Sequence, residues 1–147
     1  MPELVRSVVS RVRVYFKDRR QSPRLRVRLI FSVAINREGN GNGSSNRART
    51  LQGHTRDLSV SGVALLVPQV HLDGHHLAAE GRELRVELQL GSGDPISMVV
   101  MPRRYERLEE AELGCAYLIG ARILKIDEAN QARYLGFVRD GLESSQR

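Results

Sequence analysis

The chain has 147 residues, 41% of them hydrophobic, and its 23 Lys+Arg against 17 Asp+Glu give a formal net charge of +6 and a pI of about 10.2. That composition supports one hydrophobic core, is too apolar for a disordered chain and leaves little room for a second domain. No apolar run approaches the roughly 18–20 residues that cross a bilayer, no secretion signal is visible, and a single cysteine, Cys115, excludes a disulfide framework and a Cys-rich zinc site, which together point to the cytoplasm.

The positive charge is concentrated. Residues 1–28 hold nine basic side chains against two acidic ones, while the other 119 hold fourteen against fifteen. Nearly all of the basic residues are arginine; the lysines are Lys17 and Lys125. Guanidinium groups bind phosphate in bidentate fashion, bond the O6/N7 edge of guanine and stack on bases, whereas an ammonium is a point charge. A cationic segment of this kind attracts an anionic ligand, a polyanion or an acidic membrane surface.

In chain order, Leu4, Val5, Val8, Val9, Val12 and Phe16 recur at helical spacing opposite Arg6, Ser10, Arg13 and Lys17. They predict a short basic amphipathic helix over 1–18 that packs on the domain or on a second copy of the chain. Pro23 ends it and makes 18–24 a loop. Val27, Leu29, Phe31, Val33 and Ile35 alternate strictly and mark a first strand; residues 37–50, rich in Gly, Asn and Ser, read as a connector. Further strands follow over 49–58 and 62–67. After an Asp73-Gly74 turn comes one helical turn, then strands over 84–90 and from Ile96 to about Met101. The charged stretch 103–112 reads as a loop or hairpin end, 115–124 as a sixth strand, and Asp127 as the N-cap of a final helix. The expected fold is mainly β: a small six-stranded antiparallel barrel, split and Greek-key-like, with a C-terminal helix and a short N-terminal one. The corresponding domain division is 1–18, 19–142 and a tail at 143–147.

Two short elements carry the functional signal. One is Arg20-x-x-x-Arg24 on the Pro-containing loop; the other is Asp57-x-Ser59-x-x-Gly62, leading into an apolar strand. Their order along a barrel-forming chain resembles the PilZ domain family, bacterial receptors for cyclic di-GMP, over about 19–140. The resemblance implies a non-catalytic receptor whose ligand is cyclic di-GMP and which needs no cofactor. Under it, Arg20 and Arg24 bind phosphate or the guanine O6/N7 edge, and Asp57 accepts from guanine N1–H and N2–H₂. Ser59 offers a hydroxyl, Gly62 removes a Cβ where the backbone turns or approaches the nucleotide, and Arg19 adds a contact when two intercalated nucleotides bind. The arginine loop is expected to fold over the ligand and move the N-terminal helix against an effector protein. The basic start also suits a juxtamembrane place in a longer chain.

Two other readings use the same residues: a nucleic-acid-binding barrel, poorly supplied with stacking groups at 5% aromatic residues and no Trp, and a ligand-blind interaction domain of the same fold. Nucleic acid is therefore not the expected partner. Elsewhere, His71, Asp73, His75 and His76 look metal-like, but the Asp-Gly turn breaks the helical register that would join them. His54, Asp57, Ser59 and Ser61 lie too close along one strand for a Ser-His-Asp relay, and Cys115 reads as a quiet core thiol.

Overall fold

The computed structural model describes residues 23–36, 49–91 and 93–145. The predicted N-terminal helix, Arg19, Arg20 and most of the 37–50 connector lie outside the described residues. The strands are β1 (Leu25–Arg26), β2 (Ile30–Ile35), β3 (Leu51–Leu58), β4 (Gly62–Val67), β5 (His71–Leu72), β6 (His75–His76), β7 (Leu84–Leu88), β8 (Ile96–Glu112) and β9 (Cys115–Lys125); helix α1 spans Glu128–Ser145. Antiparallel pairing runs β3-β2-β7-β8-β9-β4, and β4 pairs back onto β3, so six strands close into a barrel with β1 added beside β3. Closure leaves none of the six as a long open edge.

The alternation of the first strand is realised. Phe31, Val33 and Ile35 are buried in the core, with Val27 and Leu29 packed against it. They meet Leu58, Val63, Leu65, Val67, Val86, Ile96, Met98, Val100 and Ile119 from the other strands. Between β1 and β2 the ladder is interrupted, and Thr55 repairs it. Its buried hydroxyl donates to the Val27 carbonyl at 2.6 Å and accepts from Leu29 N–H at 2.9 Å. Two backbone groups that would otherwise be unpaired are thereby satisfied.

Two expectations are revised. Residues 103–112, left open between a loop and a hairpin end, are the latter: β8 continues through them to Glu112 and turns at Leu113-Gly114 into β9. Both turn residues have positive φ, 49° and 83°, as a two-residue hairpin turn of the primed type requires. The strand was hidden because most of this arm is exposed on both faces, so no hydrophobic alternation is imposed on it. Its tip returns to the barrel, where the ring Nε2 of buried His54 lies 3.2 Å from the Glu112 carbonyl. Beneath the tip Ala64, Leu66, Cys115 and Leu118 form a second apolar cluster with Leu108. The second correction concerns 71–76, a two-stranded hairpin around Asp73-Gly74 (φ 55° and 78°) in place of a turn followed directly by helix.

Asp127 caps α1 as expected, its Oδ1 accepting from Asn130 N–H at 2.9 Å. The helix buries Tyr134 and Val138 in the barrel core. It contains two glycines with opposite surroundings. A Cβ on Gly141 would lie 2.5 Å from Leu25 Cδ2, so this glycine lets α1 rest directly on β1, whereas a Cβ on Gly136 meets nothing within 4 Å. Gly136→Ala should raise stability by about 0.5–1 kcal/mol in urea denaturation. Gly141→Ala should lower it by about 1–3 kcal/mol, the usual cost of overpacking.

Candidate functional site

Asp57, Ser59 and Gly62 sit where β3 turns into β4, and the order of the pairings explains how they are aimed. On β3, His54 pairs with Leu66 and Thr55 with Leu65, but Asp57, not Arg56, pairs with Ala64. Arg56 is the extra residue of a β-bulge. One added residue reverses the facing of everything beyond it. Without the bulge Asp57 would point into the core; with it, Asp57 joins Ala64 on the outer face while Leu58 points inward beside Val63.

β1 brings Arg24 to the same place. Leu25 pairs with Leu58 and Arg26 with Asp57, so Arg24 leaves the strand next to the turn. Its Nη1 lies 3.1 Å from Asp57 Oδ1, with the arginine side chain 46% exposed and the carboxylate 13%. An ion pair this open contributes at most about 1 kcal/mol. It holds the two groups in register at little cost.

The turn is held from within. Ser59 N–H donates to the Gly62 carbonyl at 2.9 Å. The Ser59 hydroxyl oxygen accepts from Gly62 N–H at 3.1 Å and from Ser61 N–H at 3.3 Å. Ser59 is 8% exposed, so its side chain shapes the turn more than it faces outward. Gly62 is required by strand packing: a Cβ there would sit 2.8 Å from the Ala121 carbonyl oxygen of β9. Ile123 N–H, also from β9, donates to the Ser61 carbonyl at 2.9 Å. Val60, at the apex, is an exposed apolar side chain.

The residue that the motif search missed is Tyr134. From α1, buried and 1% exposed, its hydroxyl donates to the Ser59 carbonyl at 2.7 Å, with the Gly62 carbonyl 3.2 Å away. Burial pushes the phenol well above its ordinary value, and the nearby Asp57 carboxylate pushes the same way. The C-terminal helix is thus fastened to the underside of the turn 75 residues away in sequence. An apolar periodicity gives no weight to a tyrosine's hydroxyl, and only the fold reveals its acceptor.

The structure therefore joins Arg24, Asp57, Ser59 and Gly62 in one corner on the outer face; Arg19 and Arg20 are outside the described residues. The other candidates remain unassembled. His54 faces the Glu112 carbonyl and the Ser59 oxygen is used in the turn, so no relay links them. His71 and His76 stack edge to face at 5.0 Å, and His76 Nδ1 already accepts from Ala78 N–H at 3.0 Å. Desolvation, then His71 and Arg82, lower the His76 pKa. Among the described residues no group of three or more His, Cys, Asp or Glu is placed to hold a metal, and no helix is long and apolar enough to cross a membrane. Cys115 is buried, which pushes its thiol pKa up.

Tyr134→Phe should cost about 1–3 kcal/mol in urea at neutral pH, because the Ser59 carbonyl loses a buried donor. The raised phenol pKa also sets a sign. The folded state holds the proton above the ordinary value of 10, so its contribution is intact below pH ~10 and declines as pH rises further. Urea midpoints above pH ~10 should fall in the wild type, and this component should be absent in Tyr134→Phe.

Comparison with known proteins agrees with the fold. A family model described as the PilZ domain matches residues 18–140. Among solved structures, the chain is similar to the Bacillus subtilis inhibitor of motility MotI/DgrA, with 17% identity and a TM-score of 0.60 over 88% of this chain and 53% of that one. It is also similar to the PilZ domain of YcgR from Escherichia coli, solved with c-di-GMP, with 13% identity and a TM-score of 0.60 over 87% and 95%. The chain spans about half the length of MotI/DgrA. At these identities the likeness establishes the fold alone. No curated protein matches the chain.

Proposed function

Since the chain belongs to the PilZ domain family, we propose that it is a non-catalytic receptor for cyclic di-GMP. The ligand binds on the outer barrel face at Arg24, Asp57 and the 59–62 turn, and Arg19 and Arg20 close on it from the loop before β1. The Arg24–Asp57 contact carries the proposal: two motif residues 33 positions apart meet, exposed, at a turn fixed from below. The YcgR PilZ domain, which has this fold, was solved with the same dinucleotide.

Each side chain matches a need of that ligand. Cyclic di-GMP carries two phosphates and two guanines. The Asp57 carboxylate is an acceptor for guanine N1–H and N2–H₂, a donor pair that adenine lacks. When it takes them, Arg24 is released to a phosphate or to the O6/N7 edge, trading a weak exposed pair for charge-assisted bonds. Val60 gives a base an apolar edge to rest on. Ser59 and Gly62 act chiefly by setting the turn. Closure of the loop repositions residues 1–18 and changes their contacts with a downstream protein partner.

Calorimetric titration tests this directly. The folded wild type should bind cyclic di-GMP with micromolar or tighter affinity, and Arg24→Ala or Asp57→Ala should weaken it about tenfold or more, as for a lost charge-assisted bond. Asp57→Asn should also narrow the preference over cyclic di-AMP. With two phosphates per ligand the salt dependence should be shallow; a steep slope with an oligonucleotide and no response to cyclic di-GMP would favour a nucleic-acid ligand. Absence of heat from folded protein overturns the proposal.

A further inference from the structure

Arg26 belongs to neither motif, yet it is set directly against Asp57. Continued from the Ile30–His54 pair, the register of β2 on β3 would bring Arg26 opposite Leu58. The interruption at residues 27–29 slips it by one, so that Arg26 pairs with Asp57 and Leu25 with Leu58. Leu25 and Leu58 are both buried, and successive side chains of a strand point to opposite faces. Arg26, which is exposed, and Asp57 therefore stand side by side on the outer face. Residues paired in this way have Cβ atoms about 5 Å apart.

The carboxylate is nevertheless held by Arg24, two residues earlier. Among the described residues no Asp or Glu forms an ion pair with Arg26. Arg24, Leu25 and Arg26 are exposed, buried and exposed in turn, so both arginines lie on the Asp57 side of the chain. Along extended backbone that places them about 6–7 Å apart. Two guanidinium groups thus attend one carboxylate, and this trio keeps one positive charge in excess before any ligand arrives. Only one of the two is needed to hold Asp57.

Resting on the cyclic di-GMP reading, we infer that Arg26 is a further phosphate-binding residue of the site. A cyclic dinucleotide brings two phosphates. When a guanine edge takes the Asp57 carboxylate, Arg24 is freed for one phosphate or for the O6/N7 edge, and Arg26 meets a phosphate from the strand beside Asp57. The contact is one of charge. It reads the sugar–phosphate ring that cyclic dinucleotides share and leaves the choice of base to Asp57. A lysine supplies that charge as well, since a phosphate accepts a point cation, whereas a guanine edge asks for the fork.

The test is calorimetry with cyclic di-GMP and with cyclic di-AMP on the wild type, Arg26→Ala, Arg26→Lys and, as a charge control, Arg85→Ala, with thermal unfolding to confirm that each is folded. Arg85 is exposed on β7, a strand that pairs with β2 and β8 and with neither β1 nor β3. Arg26→Ala should bind cyclic di-GMP about five- to tenfold more weakly, and Arg26→Lys should recover most of the loss. The preference for cyclic di-GMP over cyclic di-AMP should stay within about twofold of the wild type in both, because the phosphates are common to the two ligands. Arg85→Ala should bind as the wild type does. Wild-type binding with Arg26→Ala within twofold of it overturns the inference and leaves the proposed function standing. A loss matched by Arg85→Ala, or one that appears as altered base preference, overturns it too, by assigning the effect to net charge or to base reading. A wild type that binds nothing removes both readings.

Discussion

The hydrogen bond from the Tyr134 hydroxyl to the Ser59 carbonyl organises the candidate site. The turn between β3 and β4 must expose a carboxylate while keeping its own backbone groups paired, although its carbonyls face the buried side. Ser59 pairs with Gly62 across the turn, β9 reaches Ser61, and α1 supplies the remaining donor. Because the tyrosine is 1% exposed, nothing but the fold competes for its proton. A buried bond of this kind contributes little net free energy when made and costs more when one partner is missing, so it fixes the turn's shape more than it adds stability. The same helix rests on Leu25 through Gly141, which places the residue after Arg24 under its control. One helix thus supports both halves of the corner.

Aiming and charge follow from that frame. A strict six-stranded alternation would have placed Asp57 in the core, where an unpaired carboxylate is costly. The Arg56 bulge sends it outward, and Leu25 facing inward leaves Arg24 free to meet it. The resulting ion pair is open to solvent on its arginine side and weak. Membership of the PilZ family and the likeness to solved structures of the same fold agree with the barrel that carries this corner.

Much of the fold could be read from the residues. Where one face of a strand is buried and the other wet, as in Val27 to Ile35 or Leu84 to Leu88, the period of two declares it, and Asp127 announces the helix. The arm at 103–112 could not be read because both its faces are exposed, and because its turn places Leu113, an unusual residue for positive φ, before Gly114. The motif residues Arg24, Asp57, Ser59 and Gly62 were legible as a pattern, but not their separate tasks. That Ser59 serves the turn and Gly62 the approach of β9 depends on contacts more than fifty residues distant in the case of Gly62. Tyr134 was illegible because its acceptors lie on a turn more than seventy residues away, a meeting that only the fold creates, and the outward facing of Asp57 was illegible because a single-residue bulge sets it.

The most direct measurement is an amide chemical-shift titration of isotope-labelled protein with cyclic di-GMP. Saturable shifts confined to Arg24–Arg26, Asp57–Gly62 and the facing residues of β9, with smaller ones near Tyr134, are the outcome expected of a ligand closing on this corner. Shifts mapping to another surface, or none at ligand concentrations well above the protein's, would contradict it.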